Sequence, residues 1–151
     1  MAIHHINCRA TASGLDNLAA IVDAMAWLSG DKDQIMVDQT TSYHGSIINI
    51  VTVKIEKNRQ IKQFTEKLRL GDLDRIIQGI SERIDDSNTL HLRLCLDSLV
   101  NQQIEFITSN KKSVKCTMKI KVYPGQDPID NITQYLSCLL YTSDAADDTP
   151  C

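Results

Sequence analysis

The stretch VKCTMKIKVY, residues 114–123, decides how the rest of the chain is read. Cys116, Met118, Ile120 and Val122 fall on one side of an extended backbone, and Lys115, Thr117, Lys119 and Lys121 on the other. A period of two with one apolar and one polar face marks a strand packed on a core through one side only. Such strands build antiparallel or mixed sheets, because a parallel sheet is covered on both faces and its strands read as unbroken apolar runs. Working outward, TLHLRLCL at 89–96 sets Leu90, Leu92, Leu94 and Leu96 against Thr89, His91, Arg93 and Cys95. Residues 3–11 set His4, Ile6, Cys8 and Ala10 against His5, Asn7, Arg9 and Thr11. QIMVDQTT (34–41) and SIINIVTVKI (46–55) read as a hairpin around SYHGS (42–46), where Gly45 supplies a positive φ.

Between these strands the spacing turns helical. In SGLDNLAAIVDAMAWLSG (13–30), Ser13 and Asp16 resemble a capping box. Leu15, Leu18, Val22, Met25 and Leu28 or Ala26 make the apolar stripe there, and Gly30 stops it. KNRQIKQFTEKLRL (57–70) is a basic helix with a seam of Ile61, Phe64 and Leu68. GDLDRIIQGISERI (71–84) is a second helix bearing Leu73, Ile76, Ile77, Ile80 and Ile84, with Gly71 and Asp72 as the break. DDSN (85–88) is a turn, NQQIEFIT (101–108) a further short strand, and PIDNITQYL (128–136) opens a last helix. The order β-α-β-β-α-α-β-β-β-α predicts a single α+β domain, an open-faced sandwich with a mainly antiparallel or mixed sheet and helices on one face.

The last residues, CLLYTSDAADDTPC (138–151), show neither a helical stripe nor strand alternation. One codon choice for Cys138–Asp148 spells the end of a transposase library adapter used in sequencing, and residues 138–151 are therefore set aside as translated adapter sequence. The domain is then expected to cover 1–137 and to be truncated at its C-terminus. The whole chain carries 16 basic and 19 acidic residues, and the tail holds three of the acids and no Lys or Arg, so the body is neutral. Affinity for a polyanion must then come from a local patch rather than from bulk charge. Cys8, Cys95 and Cys116 are scattered, with no CxxC spacing. With no signal core and no long apolar run, a reduced, cytoplasmic protein with no membrane attachment is expected.

Two basic features stand out. Residues 111–121 hold Lys111, Lys112, Lys115, Lys119 and Lys121 and no acid. If Arg93, His91, Lys54 and Arg9 share the outer face with them, the sheet carries a basic stripe able to follow a phosphate backbone by displacing counterions. A solvated sheet face kept soluble by lysines is the ordinary alternative, and a protein-docking face a third. The outer face shows no aromatic residue, which argues against a platform that stacks unpaired bases. In the helical segment Lys57, Arg59 and Lys62 are candidates for additional phosphate contacts, set against an ordinary exposed face with i,i+4 ion pairs. Tyr43 and His44, at the hairpin tip, are a loop candidate. Adjacent His4 and His5 should point to opposite faces, and no Cys, His or Asp spacing suits a metal. No nucleophile, phosphate-binding or dinucleotide motif occurs, so neither catalysis nor a cofactor is expected.

Together, AIHHINCRA, YHGS with IINIVTVKIEKNRQI, ERIDDSNTLHLRL and VKCTMKIKVYPG resemble a family of small archaeal proteins described as RNA-binding or as predicted exosome subunits. The resemblance spans residues 3 to about 136. It departs after HLRL, where Asp97 matches but Ser98 stands at a lysine position and no glycine follows. It implies a fold like that of a ribosomal protein that binds ribosomal RNA, and a non-catalytic RNA-associated module. On the residues above, Arg93, Lys111, Lys112, Lys115, Lys119 and Lys121 would meet phosphates with help from Lys57, Arg59 and Lys62. RNA and exosome or other RNA-processing proteins are the partners implied. A module that docks a protein of such a complex without touching RNA is the alternative.

Overall fold

A computed structural model describes residues 3–13, 17–41, 43–107 and 112–141. Five strands make one sheet in the order β2-β3-β1-β5-β4, with every neighbouring pair antiparallel. They are β1 (Ile3–Ser13), β2 (Met36–Thr41), β3 (Ile47–Ile55), β4 (Thr89–Cys95) and β5 (Ser113–Ile120). The helices are α1 (Leu18–Ser29), α2 (Asn58–Lys67), α3 (Leu73–Gln78), α4 (Ile80–Arg83), α5 (Leu96–Val100) and α6 (Pro128–Tyr141). The alternation expected of β1, β4 and β5 is the reason for the single core. Ile6, Cys8, Leu90, Leu92, Leu94, Cys116 and Met118 lie on the helix side beneath Met25, Ile61, Phe64, Leu73, Ile76 and Ile132, all buried. The open-faced α+β sandwich is therefore present, with a purely antiparallel sheet.

Deep in this core Cys8 and Cys116 face each other across β1 and β5, with their sulfurs 3.4 Å apart. The hydrogen bond from Cys116 to Cys8, then burial, pushes the Cys8 thiol well above its ordinary value.

Several local expectations are corrected. β1 carries an irregularity between Ile3 and His5, so Ile3 and Ile6 are both buried while His4 is exposed rather than facing the core. The same kink brings His4 and His5 together, Nδ1 to Nδ1 at 2.8 Å, instead of sending them to opposite faces. The strand runs on to Ser13, and α1 starts at Leu18 with Asn17 as its cap, its side chain accepting from the Ala20 N–H. Asp16 and Leu15 lie outside the described residues. Ile21 and Ala24 are buried with Met25 and Leu28, while Leu18 and Val22 are only partly covered, so the face is rotated from the expected stripe. The C-terminal stop holds, with Gly30 left-handed at φ +82. The second helix splits at Gly79 into α3 and α4, and Asp72 caps α3 by accepting from Arg75 N–H.

The region after β4 differs most. Cys95 is buried rather than outward, and α5 follows at once because Leu96 and Leu99, three apart, both reach the core. Among the described residues of the expected 101–108 strand, 101–107, no full strand forms, and Thr108 lies outside them. The segment meets β4 through a single bridge, Leu94 to Phe106, flanked by Cys95 N–H to Glu105 O (2.8 Å) and Ile107 N–H to Arg93 O (3.0 Å). Arg75 holds the segment by donating to Phe106 O at 2.7 Å. Gly71 lets it close, since a Cβ there would stand 2.9 Å from Ile104 and Phe106. Finally, α6 continues through Cys138–Tyr141, with Ile132, Leu136 and Leu139 packed against the core at helical spacing. Helix thus extends into the start of the segment that reads as translated adapter sequence; residues 142–151 lie outside the described residues.

Candidate nucleic-acid interface

The pairing register turns the outer face of the sheet into a grid. Arg9 stands opposite Lys115, and Lys115 opposite Arg93. At about 4.8 Å between strands this makes a row of cations about 10 Å long, measured at the backbone. Two residues further along lie Lys54, Asn7, Thr117 and His91, then His5, Lys119 and Thr89. The condition set by the sequence is met in place: Arg9, His91, Arg93, Lys54, Lys115 and Lys119 share one face.

They differ in how they are held. Arg9, Lys115 and Arg93 are exposed, and none of the three charged groups has an ion-pair or hydrogen-bond partner among the described residues. Lys54 pairs with Glu56 at 3.6 Å. The Lys119 ammonium donates to Ser87 O. His91 Nε2 lies 2.7 Å from Asp85, and this hydrogen bond, with Ser87 and Thr89 N–H groups also donating, lowers the Asp85 carboxyl from its ordinary value. Asp85 was read as a turn residue and is one; its contact with His91 is additional. Burial and the neighbouring Lys54 lower the pKa of His5.

Two shallow cavities flank the central strands. One, of about 650 Å³, is lined by Asn7, Arg9, Thr52, Lys54, Lys115 and Thr117, with Asp33 and Glu56 also in its wall. The other, of about 470 Å³, is lined by Arg83, Asp85, His91, Arg93, Ile107 and Lys115, with Glu82 beside them. Lys115 belongs to both. Acids therefore border the row at each end, while its middle is left cationic. Arg83 joins the site unannounced, because the sequence shows it only as the end of a helix.

Other candidates lie elsewhere. Lys121 falls beyond the end of β5 and is half-buried, its carbonyl accepting from Asn131 at 3.0 Å. Lys112 is exposed just before β5, where its carbonyl accepts from Leu96 N–H. Lys111 lies outside the described residues. Lys57, Arg59 and Lys62 are exposed on α2, whose Ile61 and Phe64 pack against the opposite side of the sheet. The structure does not bring them to the outer face. The i,i+4 ion pair expected on that helix is missing too, since neither Lys62 nor Glu66 has an ion-pair partner among the described residues. Tyr43 is 99 % exposed at the hairpin tip, edge-on to His44 with ring centres 5.5 Å apart. Among the described residues no group of three or more His, Cys, Asp or Glu side chains could hold a metal ion, and no helix is long and apolar enough to cross a membrane.

Fold and face together define an open α+β sheet protein whose solvent side presents ordered cations. The chain belongs to the family described as RNA binding, whose model matches residues 5–121. It is similar in fold to a DUF54 protein from Methanothermobacter thermautotrophicus, at TM-score 0.74 and 17 % identity over 93 % of this chain and 99 % of that one. A DUF54 protein from Archaeglobus fulgidus gives TM-score 0.74 at 19 % identity, covering 91 % of this chain and 99 % of that one. A UPF0201 protein from Methanococcus jannaschii gives 0.60 at 10 % identity, covering 87 % and 91 %. No curated protein matches the sequence.

Proposed function

We propose that the protein binds RNA phosphates through the outer face of its sheet, as a non-catalytic module. One observation carries this reading: Arg9, Lys115 and Arg93 stand directly opposite one another with no carboxylate between them. Like charges in opposed positions destabilise a sheet. A row of phosphate oxygens offsets that repulsion and supplies charge-assisted hydrogen bonds, with counterion release adding to the affinity. Membership of the RNA-binding family supports the choice of polyanion.

The test is RNA affinity as a function of salt. Three phosphate contacts predict a log–log slope of about −2, at about −0.7 per contact on single strands, and Arg9→Glu, Lys115→Glu and Arg93→Glu together should abolish binding. An affinity that ignores both the salt and the triple change rules the reading out.

A second reading rests on the β2–β3 hairpin, whose Met36 continues the outer face beyond Thr52. Every residue of β2 is exposed, and Met36 (63 %), Ile47 (52 %) and Tyr43 (99 %) leave apolar surface on the hairpin uncovered. Such a surface suits docking to a protein of an RNA-processing assembly, the exosome included. Copurification of a protein partner, lost on Tyr43→Ser with Ile47→Ser while RNA affinity stays unchanged, would establish it.

A further inference from the structure

The same face also carries information about which form of RNA it suits. We infer that the ligand is an A-form RNA duplex, recognised by its shape and its ribose hydroxyls; this rests on the proposed RNA-binding function. Proteins that hold unpaired RNA offer rings on which the splayed bases stack. Here no outward-facing strand position carries Phe, Tyr or Trp: Asn7, Arg9, Lys54, Arg93, Lys115, Thr117 and Lys119 occupy the centre, and Met36 and Asp38 the β2 margin. The molecule's rings are spent elsewhere. Phe64 and Phe106 are buried, Tyr135 hydrogen-bonds to Thr65 within the helical layer, Trp27 lies on α1 under the Lys67 ammonium, Tyr43 sits at the hairpin tip, and Tyr123, 63 % exposed, lies beyond the end of β5 rather than on a strand position. The two imidazoles on the face are engaged, His91 with Asp85 and His5 with His4. A duplex keeps its bases stacked on one another and asks for no ring.

What the face offers instead is a grid of polar groups set by the strand register. The cation row runs across the strands for about 10 Å, and the Asn7–Thr117 pair lies two residues, about 7 Å, further along them. The wide, shallow minor groove of an A-form helix displays phosphates and 2′-hydroxyls over a surface of that kind. The minor groove of B-form DNA, about 6 Å across, is narrower than the row itself. In this arrangement Arg9, Lys115 and Arg93 meet phosphates, and the Asn7 amide and Thr117 hydroxyl meet ribose 2′-hydroxyls, which are both donors and acceptors.

The experiment compares a 5′-labelled RNA duplex of about 16 base pairs, its two separated strands chosen to lack internal pairing, and the DNA duplex of the same sequence, all at one salt concentration. The RNA duplex should bind about tenfold tighter than either single strand or the DNA. Asn7→Ala with Thr117→Ala should cut the RNA-over-DNA preference to about threefold or less while leaving affinity for the DNA duplex unchanged. Circular dichroism confirms that these surface variants stay folded, and Lys115→Arg should keep the preference. Single strands that bind as well as the duplex, or DNA that binds as well as RNA, overturn this inference and leave the proposed function standing. Loss of binding to all three probes overturns both.

Discussion

The molecule has two basic surfaces built on different logic. On α2, Lys57, Arg59 and Lys62 radiate from a helix, each free to swing away from the others and into water. On the sheet, Arg9, Lys115 and Arg93 are fixed by the register of three strands at neighbouring sites on a rigid surface. The helix cations cost the fold little, since long exposed side chains relax their own repulsion. The sheet cations cannot separate at the backbone; of the acids in the flanking cavity walls, Asp85 and Glu56 are engaged by His91 and Lys54, and neither Asp33 nor Glu82 forms an ion pair with the row among the described residues. Repulsion retained at fixed geometry is the stronger sign of a ligand than the number of positive charges. Counting charges along the chain ranks the two surfaces alike; their geometry does not.

The contrast can be broken in four ways. The largest effect is on binding. Reversing Arg9, Lys115 and Arg93 to Glu should weaken RNA affinity by about 100-fold or more, whereas Lys57→Glu, Arg59→Glu and Lys62→Glu together should change it by less than about threefold in the same filter-binding assay. Equal losses would erase the distinction. Next comes the clamp that steadies the outer edge of β4. Gly71→Ala drives a methyl into Ile104 and Phe106 and should cost about 1–3 kcal/mol in urea unfolding; an unchanged midpoint would show that the 103–107 segment yields freely.

A smaller effect is expected from relieving the repulsion. Lys115→Thr should stabilise the protein by about 0.5–1 kcal/mol, while Arg59→Gln on α2 should stay within about 0.5 kcal/mol of zero. Thermal melts without RNA decide this, and a destabilised Lys115→Thr would mean that the row is not strained. The smallest effect concerns the His91–Asp85 pair at the end of the second row. The folded state lowers the Asp85 carboxyl below its ordinary value of 3.8, chiefly through His91. Its contribution is therefore complete above the unfolded pKa and is lost as pH falls through the folded one. The stability gap between the protein and Asp85→Asn should hold steady at neutral pH and shrink below about pH 4. A gap that widens in acid would contradict the assigned contact.

Much of this was legible in the sequence. Alternation in β1, β4 and β5 sets Arg9, His91, Arg93, Lys115 and Lys119 against the apolar residues of their own strands, and a single face for all five was a condition that the pairing meets. It could not say which of them oppose each other, because register depends on pairing between segments remote in sequence; Arg9 and Lys115 are partners only through β1 and β5. The isolation of the central three was hidden for the same reason. Asp85 reaches His91 because a tight turn, closed by its own side chain on Ser87 and Thr89, folds it back. The stretch after β4 misled because Leu96 and Leu99 fit a helix turn while Ile104 and Phe106 fit a strand, and each run is too short for periodicity to choose. The helix expected to open at 128 runs on through Tyr141, and Leu139, at helical spacing from Ile132 and Leu136, packs against the core where residues 138–151 had shown no stripe.

The two margins of the sheet are unlike. Beside β4 the backbone is capped at both ends, by Ile84 against Leu90 and by Phe106 against Leu94. Beside β2, away from β3, no described residue pairs with the backbone, and Asp38 is the sole charge along Met36–Thr41. With β2 open and β4 obstructed by these two bridges, strand addition between two copies through β2 uses up both open margins and favours a closed pair over a propagating fibre.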